Sequence, residues 1–162
     1  MKNPTMKSSL ALALQVAVVL IGIGVLALML WEPHIEGRNA KATAFEIYFK
    51  DPFLAYVYVG SIPFFMALRR AFGLFGHVRR TGAFSRATVD SLRAIRNCAM
   101  AVMGFVAGAG VIILMVGDKD DRPAGVFMCL LFTVAASTIA ITAAKFARNL
   151  KNALRRSEGL QA

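Results

Sequence analysis

Few residues in this chain carry reactive groups. It has two histidines, His34 and His77, and two cysteines, Cys98 and Cys129. His34 stands between Glu32 and Glu36, which brings a metal or proton-sensing site to mind. One histidine beside two near-adjacent acids falls short of a ligand constellation, however, and reads as a solvated loop residue. There is no CxxC and no other metal-ligand spacing. Cys98 and Cys129 belong to different depths of separate apolar stretches. A disulfide needs Cα atoms within about 7 Å, so both read as small apolar core residues. The hydroxyls of Thr133, Ser137, Thr138 and Thr142 lie in an apolar run, where such groups bond their own backbone or a neighbouring helix. No glycine-rich loop of phosphate-binding type is present, and no Ser-His-Asp or Cys-His set assembles on one side, since His34 falls outside and His77 inside in the topology below. What remains is positive charge: 19 Lys and Arg against nine acids, a net +10.

The elements that hold those charges are four charge-free stretches: residues 8–31, 52–68, 97–117 and 123–144. The chain is 57% hydrophobic with a mean hydropathy of +0.60, and a membrane crossing needs about 20 mostly apolar residues. The reading is a single all-α integral membrane domain, a four-helix bundle with both termini cytoplasmic. Its spans are 8–31, 52–75, 97–117 and 123–144, the second extended because Arg69 and Arg70 can snorkel. The termini and the middle connector then share one side, which holds 14 of the 19 basic residues but two of the nine acids. That bias is the one that keeps Lys and Arg cytoplasmic during insertion, so it accounts for the net charge without nucleic acid. The first run is longer than the 7–15 residues of a secretory apolar core, so it reads as an uncleaved anchor in a bacterial inner membrane. None of the four spans contains an Asp, Glu, Lys or Arg in its charge-free core. Such residues usually mark ion or proton pathways, and their lack weighs against a pump, a proton-coupled transporter or an intramembrane protease.

Particular segments stand out within that frame. Gly60-Ser61-Ile62-Pro63 predicts a packed kink, because proline removes a backbone donor. Gly76 and Gly82 bracket a flexible basic stretch with His77, Arg79 and Arg80. Ser85 is placed as an N-cap, with Phe84 and Val89 spaced as a hydrophobic staple. Val89, Leu92 and Ile95 then follow at helical spacing, giving an amphipathic helix over 85–96 that runs into the third span. Gly104 and Gly108 form a GxxxG, and Ala136, Ala140 and Ala144 repeat every fourth residue, so the third and fourth spans are expected to pack through these small faces. Beyond the membrane a basic helical extension over 145–158 carries an apolar stripe of Phe146, Leu150 and Leu154. Its cations suit anionic headgroups, its stripe a partner protein.

The run Phe84-Ser85-x-x-x-Val89-x-x-Leu92-Arg93-x-Ile95, leading into a span rich in small residues, resembles the bacterial family catalogued as domain of unknown function 2975. The resemblance implies about 160 residues, four membrane helices, a long second helix, a cytoplasmic linker and a helical C-terminus. It also implies a role in holding or modulating a helix-turn-helix regulator at the membrane, and it brings no catalytic residues. The basic tail from Lys151 to Gly159 departs from the acidic, apolar tail usual in that family.

These observations point to a non-enzymatic membrane protein without cofactor or metal that docks a cytoplasmic partner. The alternative is a small transporter acting as an oligomer, with a pathway near Gly60, Pro63 and the Gly104–Gly108 face. The partner-binding candidates are Phe84, Ser85, Val89, Leu92, Arg93 and Arg96 in the connector, with Arg148, Lys151, Arg155 and Arg156 in the extension. Anionic lipid on the cytoplasmic side and a second copy of the chain are the other expected partners, and direct nucleic-acid binding is not expected.

Overall fold

The computed structural model describes residues 8–31, 52–81, 85–117 and 122–159. Expectations that concern His34, Gly82 and Phe84 lie outside these residues. The described residues form four α-helices: α1 (Ser8–Trp31), α2 (Pro52–Thr81), α3 (Arg86–Val116) and α4 (Arg122–Gly159). All four are long and apolar enough to cross a membrane. Without water in the hydrocarbon layer every backbone N–H and C=O must be satisfied within the segment, so long apolar runs become helices.

α2 starts on Pro52, where a missing N–H costs nothing, and continues through Pro63. Ser61 Oγ donates to the Tyr58 carbonyl at 2.7 Å, adding a bond in the turn before that proline. The helix also runs past Gly76, so His77, Arg79 and Arg80 are helical and not part of a flexible stretch. Two features hold this end. Leu74 and Val78 are buried, and Thr81 Oγ1 donates to the His77 carbonyl at 2.9 Å. α3 is one continuous helix from its amphipathic start into the membrane, with Ser85 as its extended N-cap. The Ser85 N–H donates to Thr88 Oγ1 at 3.2 Å, the return half of a capping box. At the far end the Gly117 N–H bonds the Ile113 carbonyl at 3.0 Å, and Arg122 Nε donates to the Gly117 carbonyl at 2.8 Å, fixing the α3–α4 hairpin.

Consecutive helices pair, α3 with α4 most extensively, while helices distant in the chain meet hardly at all. The α3–α4 seam on α4 is Ala136, Ala140, Ala143, Ala147 and Leu150, all buried, followed by half-buried Leu154. These positions alternate by four and three, the coiled-coil repeat, and average 3.5 residues. The four-residue spacing expected for Ala136, Ala140 and Ala144 drifts about 40° per step at 100° per residue, which is why Ala143 replaces Ala144 and Ala147 replaces Phe146. Phe146 is exposed.

The GxxxG pair does not serve the α3–α4 seam. A Cβ on Gly104 would meet nothing within 4 Å, whereas one on Gly108 would collide with the Tyr56 hydroxyl of α2. Tyr56 donates to the Phe105 carbonyl at 2.9 Å, and Phe105 in turn lies 3.2 Å from where a Gly60 Cβ would sit. Each helix thus seats an aromatic ring on the other's glycine, with the rings 5.5 Å apart and tilted. On α4 the hydroxyls behave as expected in lipid: Thr133 and Thr138 bond carbonyls one turn back, and Ser137 reaches Met103 Sδ on α3 at 3.1 Å.

Candidate functional site

The antiparallel pairings bring the N-terminal ends of α1 and α3 to the same end of the molecule as the C-terminal ends of α2 and α4, where the basic residues gather. Two clefts open there. The first builds from the extensions of α3 and α4. Val89, Ala147 and Leu150 form a buried cluster, with Leu92 and Leu154 packed against it. The apolar stripes of the two basic segments are therefore largely used on each other. Burying them in water-facing extensions is favourable by about 25 cal/mol per Å² of apolar area, so the pair forms a stalk and not two free amphipathic helices.

Around this stalk lies a cleft of about 300 Å³ with Val89 and Leu154 at its base. Arg86, Arg93, Lys151 and Arg155 line it, together with one acid, Asp90. Arg93 Nη1 approaches Asp90 Oδ1 at 3.4 Å, but the side chains are 51% and 73% exposed, so this pair leaves the excess of cations largely in force. The structure thus joins five of the sequence candidates, Val89, Leu92, Arg93, Lys151 and Arg155, at one place. Arg96, Arg148 and Arg156 are exposed and do not line the cleft. Arg86, Asp90 and Leu154 join it unforeseen as a group. Their signal was present as helical spacing from Val89 and Leu150, but which two faces meet is not written in either segment alone. Ser85 lies apart from the cleft lining, its Oγ 3.1 Å from His77 Nε2, and ties the end of α2 to the start of α3.

The second cleft, about 390 Å³, lies between α1 and α2. Gln15 forms its floor; only 7% of this residue is exposed, and its Nε2 donates to the Phe72 carbonyl at 3.3 Å. Phe72, Gly73 and Gly76 make the α2 wall, and His77, Arg79 and Arg80 the rim. A Cβ on Gly76 would come within 2.9 Å of the Gln15 amide, so glycine there permits the approach.

The axial register of α1 on α2 is unusual. Met29 pairs with Tyr58, Gly22 faces Leu68, and Gln15 pairs with Phe72. Leu68 ends the charge-free stretch of α2, yet the apolar sequence of α1 continues from Gly22 to Ser8, about 20 Å further at 1.5 Å per residue. Leu12, Val16 and Val19 are exposed on this N-terminal half of α1, at the depth where Arg69, Arg70, Arg79 and Arg80 are exposed on α2. Apolar surface and guanidinium groups therefore share one level. Among the described residues no three His, Cys, Asp or Glu side chains group as a metal site would require.

Comparison with known proteins gives a family but no activity. The model of a family described as protein of unknown function (DUF2975) matches residues 37–161. An uncharacterized membrane protein of Bacillus subtilis (strain 168), YoaS, is 33% identical over 142 residues, covering 87% of this chain and 89% of its own length. No solved structure matches the chain.

Proposed function

We propose that this chain, which belongs to the DUF2975 family of uncharacterised membrane proteins, holds a cytoplasmic protein against the α3–α4 stalk. The reading is non-enzymatic. It places the chain in a bacterial inner membrane, with the basic end and both termini in the cytoplasm, in keeping with the retention of Lys and Arg on that side. The observation that carries it is the stalk cleft: an apolar base of Val89 and Leu154 beneath four cations and, among the described residues, a single acid. A segment that presents carboxylates beside one apolar side chain complements it. A helix-turn-helix regulator with such an acidic segment fits this description.

The transporter reading has less support. Of the places where a pathway was expected, near Gly60, Pro63 and the Gly104–Gly108 face, Gly60 and Gly108 are filled by the rings of Phe105 and Tyr56, while a Cβ on Gly104 would meet nothing within 4 Å.

A photo-crosslinking residue at position 90, in living cells, should join the chain to a specific protein. The double change Arg93→Glu and Lys151→Glu should abolish that product, and Arg96→Glu, outside the cleft, should leave it. A product insensitive to the double change, with the protein still inserted and folded, would remove the stalk from the binding role.

A further inference from the structure

We propose that the cleft between α1 and α2 is a binding site for an anionic phospholipid, whose phosphate lies against Arg79, Arg80 and the Gln15 amide while its acyl chains follow the inner half of α1. This site is separate from the stalk cleft and does not depend on the role proposed for it.

Three observations converge on this occupant. The first is polarity. Gln15 is a carboxamide more than nine-tenths buried in a helix that is otherwise apolar from Leu10 to Trp31. One amide bond goes to the Phe72 carbonyl, and among the described residues the other N–H has no partner. That N–H can take a further acceptor, and a phosphate oxygen in the cleft that Gln15 lines supplies one. The second is charge. Arg79 and Arg80 form the rim, and among the described residues no acid lines this cleft, in contrast to Asp90 in the other. Guanidinium groups bind phosphate through paired, charge-assisted hydrogen bonds.

The third is the register of α1, which separates a lipid from a soluble anion. Leu12, Val16 and Val19 are exposed on α1 between the level of Arg69 and Arg70 and that of Arg79 and Arg80, and Phe72 is exposed on the cleft wall. A free phosphate satisfies the rim and leaves these surfaces bare; a phospholipid covers both. The same offset gives a physical cause. An apolar helix kept in the bilayer draws the neighbouring arginines inward, and arginines at such depth pull phosphates and water toward themselves by snorkelling and local thinning. The α1–α2 cleft provides a fixed place for one such headgroup.

The test uses the purified full chain in detergent, with native mass spectrometry after addition of equal phosphatidylglycerol and phosphatidylethanolamine. The anionic lipid should be retained about tenfold over the zwitterionic one. Arg79→Gln with Arg80→Gln should bring retention close to parity. Gly73→Phe should do the same with every charge in place, because the space beyond a Cβ there is open and the ring enters the cleft without moving a helix. Lys151→Gln with Arg155→Gln, in the other cleft, should leave the preference intact. Inorganic phosphate at millimolar concentration should not displace the lipid. Equal retention of the two lipids by the unchanged chain, an undiminished preference in Gly73→Phe, or complete displacement by inorganic phosphate would each overturn the assignment.

Discussion

Replacing Gly108 with alanine tests whether α2 and α3 are held by reciprocal seating of rings on glycines. The added Cβ would fall on the Tyr56 hydroxyl and lie 3.2 Å from Tyr56 Cζ. The ring must withdraw, which breaks the 2.9 Å hydrogen bond to the Phe105 carbonyl. Side-chain hydrogen bonds within membranes contribute about 0.6 kcal/mol on average and up to about 1.7. Forcing extra volume into a packed contact costs about 1–3 kcal/mol, and the better helix propensity of alanine returns up to about 1. The net expectation is a loss of about 1–3 kcal/mol. Tyr56→Phe alone should cost about 1 kcal/mol, the value of the bond. In that background the oxygen is gone, so Gly108→Ala meets only a ring carbon that must give by a few tenths of an ångström. The two changes should therefore be non-additive, with a coupling of about 1–2 kcal/mol. Unfolding titrated with SDS in mixed micelles, followed by the single tryptophan, Trp31, gives the cycle. Gly104→Ala is the control: nothing lies within 4 Å of its added Cβ, so it should cost nothing and gain up to about 1 kcal/mol from the better helix propensity of alanine. Purely additive effects of Gly108→Ala and Tyr56→Phe would refute the seating. A large loss from Gly104→Ala would return the GxxxG to a packing role that these contacts do not give it.

Other consequences are quicker to check. Leu150→Ala, at a buried position of the stalk, should destabilise by about 2–4 kcal/mol and raise protease sensitivity of the extension after Lys145, read by limited proteolysis. Ser85→Ala removes an N-cap and the contact to His77 and should cost about 1 kcal/mol, with faster hydrogen exchange confined to the first turn of α3. A single cysteine in the segment 32–51, in a Cys98→Ala and Cys129→Ala background, should react with a membrane-impermeant thiol reagent on intact cells; reaction of a cysteine at Gly82 instead inverts the topology.

The helices themselves were legible because lipid imposes one rule: a long charge-free run has to satisfy its own backbone. Residues 8–31 are charge-free and α1 is Ser8–Trp31. The N-cap at Ser85 and the continuity of the connector helix into the third span were likewise readable, since each is a local property of a few neighbouring residues. The end of α2 was not. Gly76 reads as a helix breaker in isolation, but here its missing Cβ admits the Gln15 amide, and the tertiary contact outweighs the propensity.

Partner choice between the helices was the less legible part, and the medium explains it. In water an apolar stripe announces which face is buried. In lipid the outside is as apolar as the inside, and hydropathy carries no information about facing. The small residues of Gly104–Gly108 matched a known packing pattern, yet only Gly108 is used, and by Tyr56 of α2. Where the chain leaves the membrane the ordinary signal returns. Val89 and Leu92 on one extension and Leu150 and Leu154 on the other stand out against the arginines, and they do pack together. It follows that the two basic segments could be singled out from sequence as the places to look, while their fusion into one stalk could not. Burial of both stripes removes the free amphipathic helix as a docking element and leaves a cationic cleft with a narrow apolar base. For the docking role proposed above, recognition there would depend on charge placement more than on apolar area, so exchanging Arg93 or Lys151 should alter partner choice more than enlarging Leu154 does.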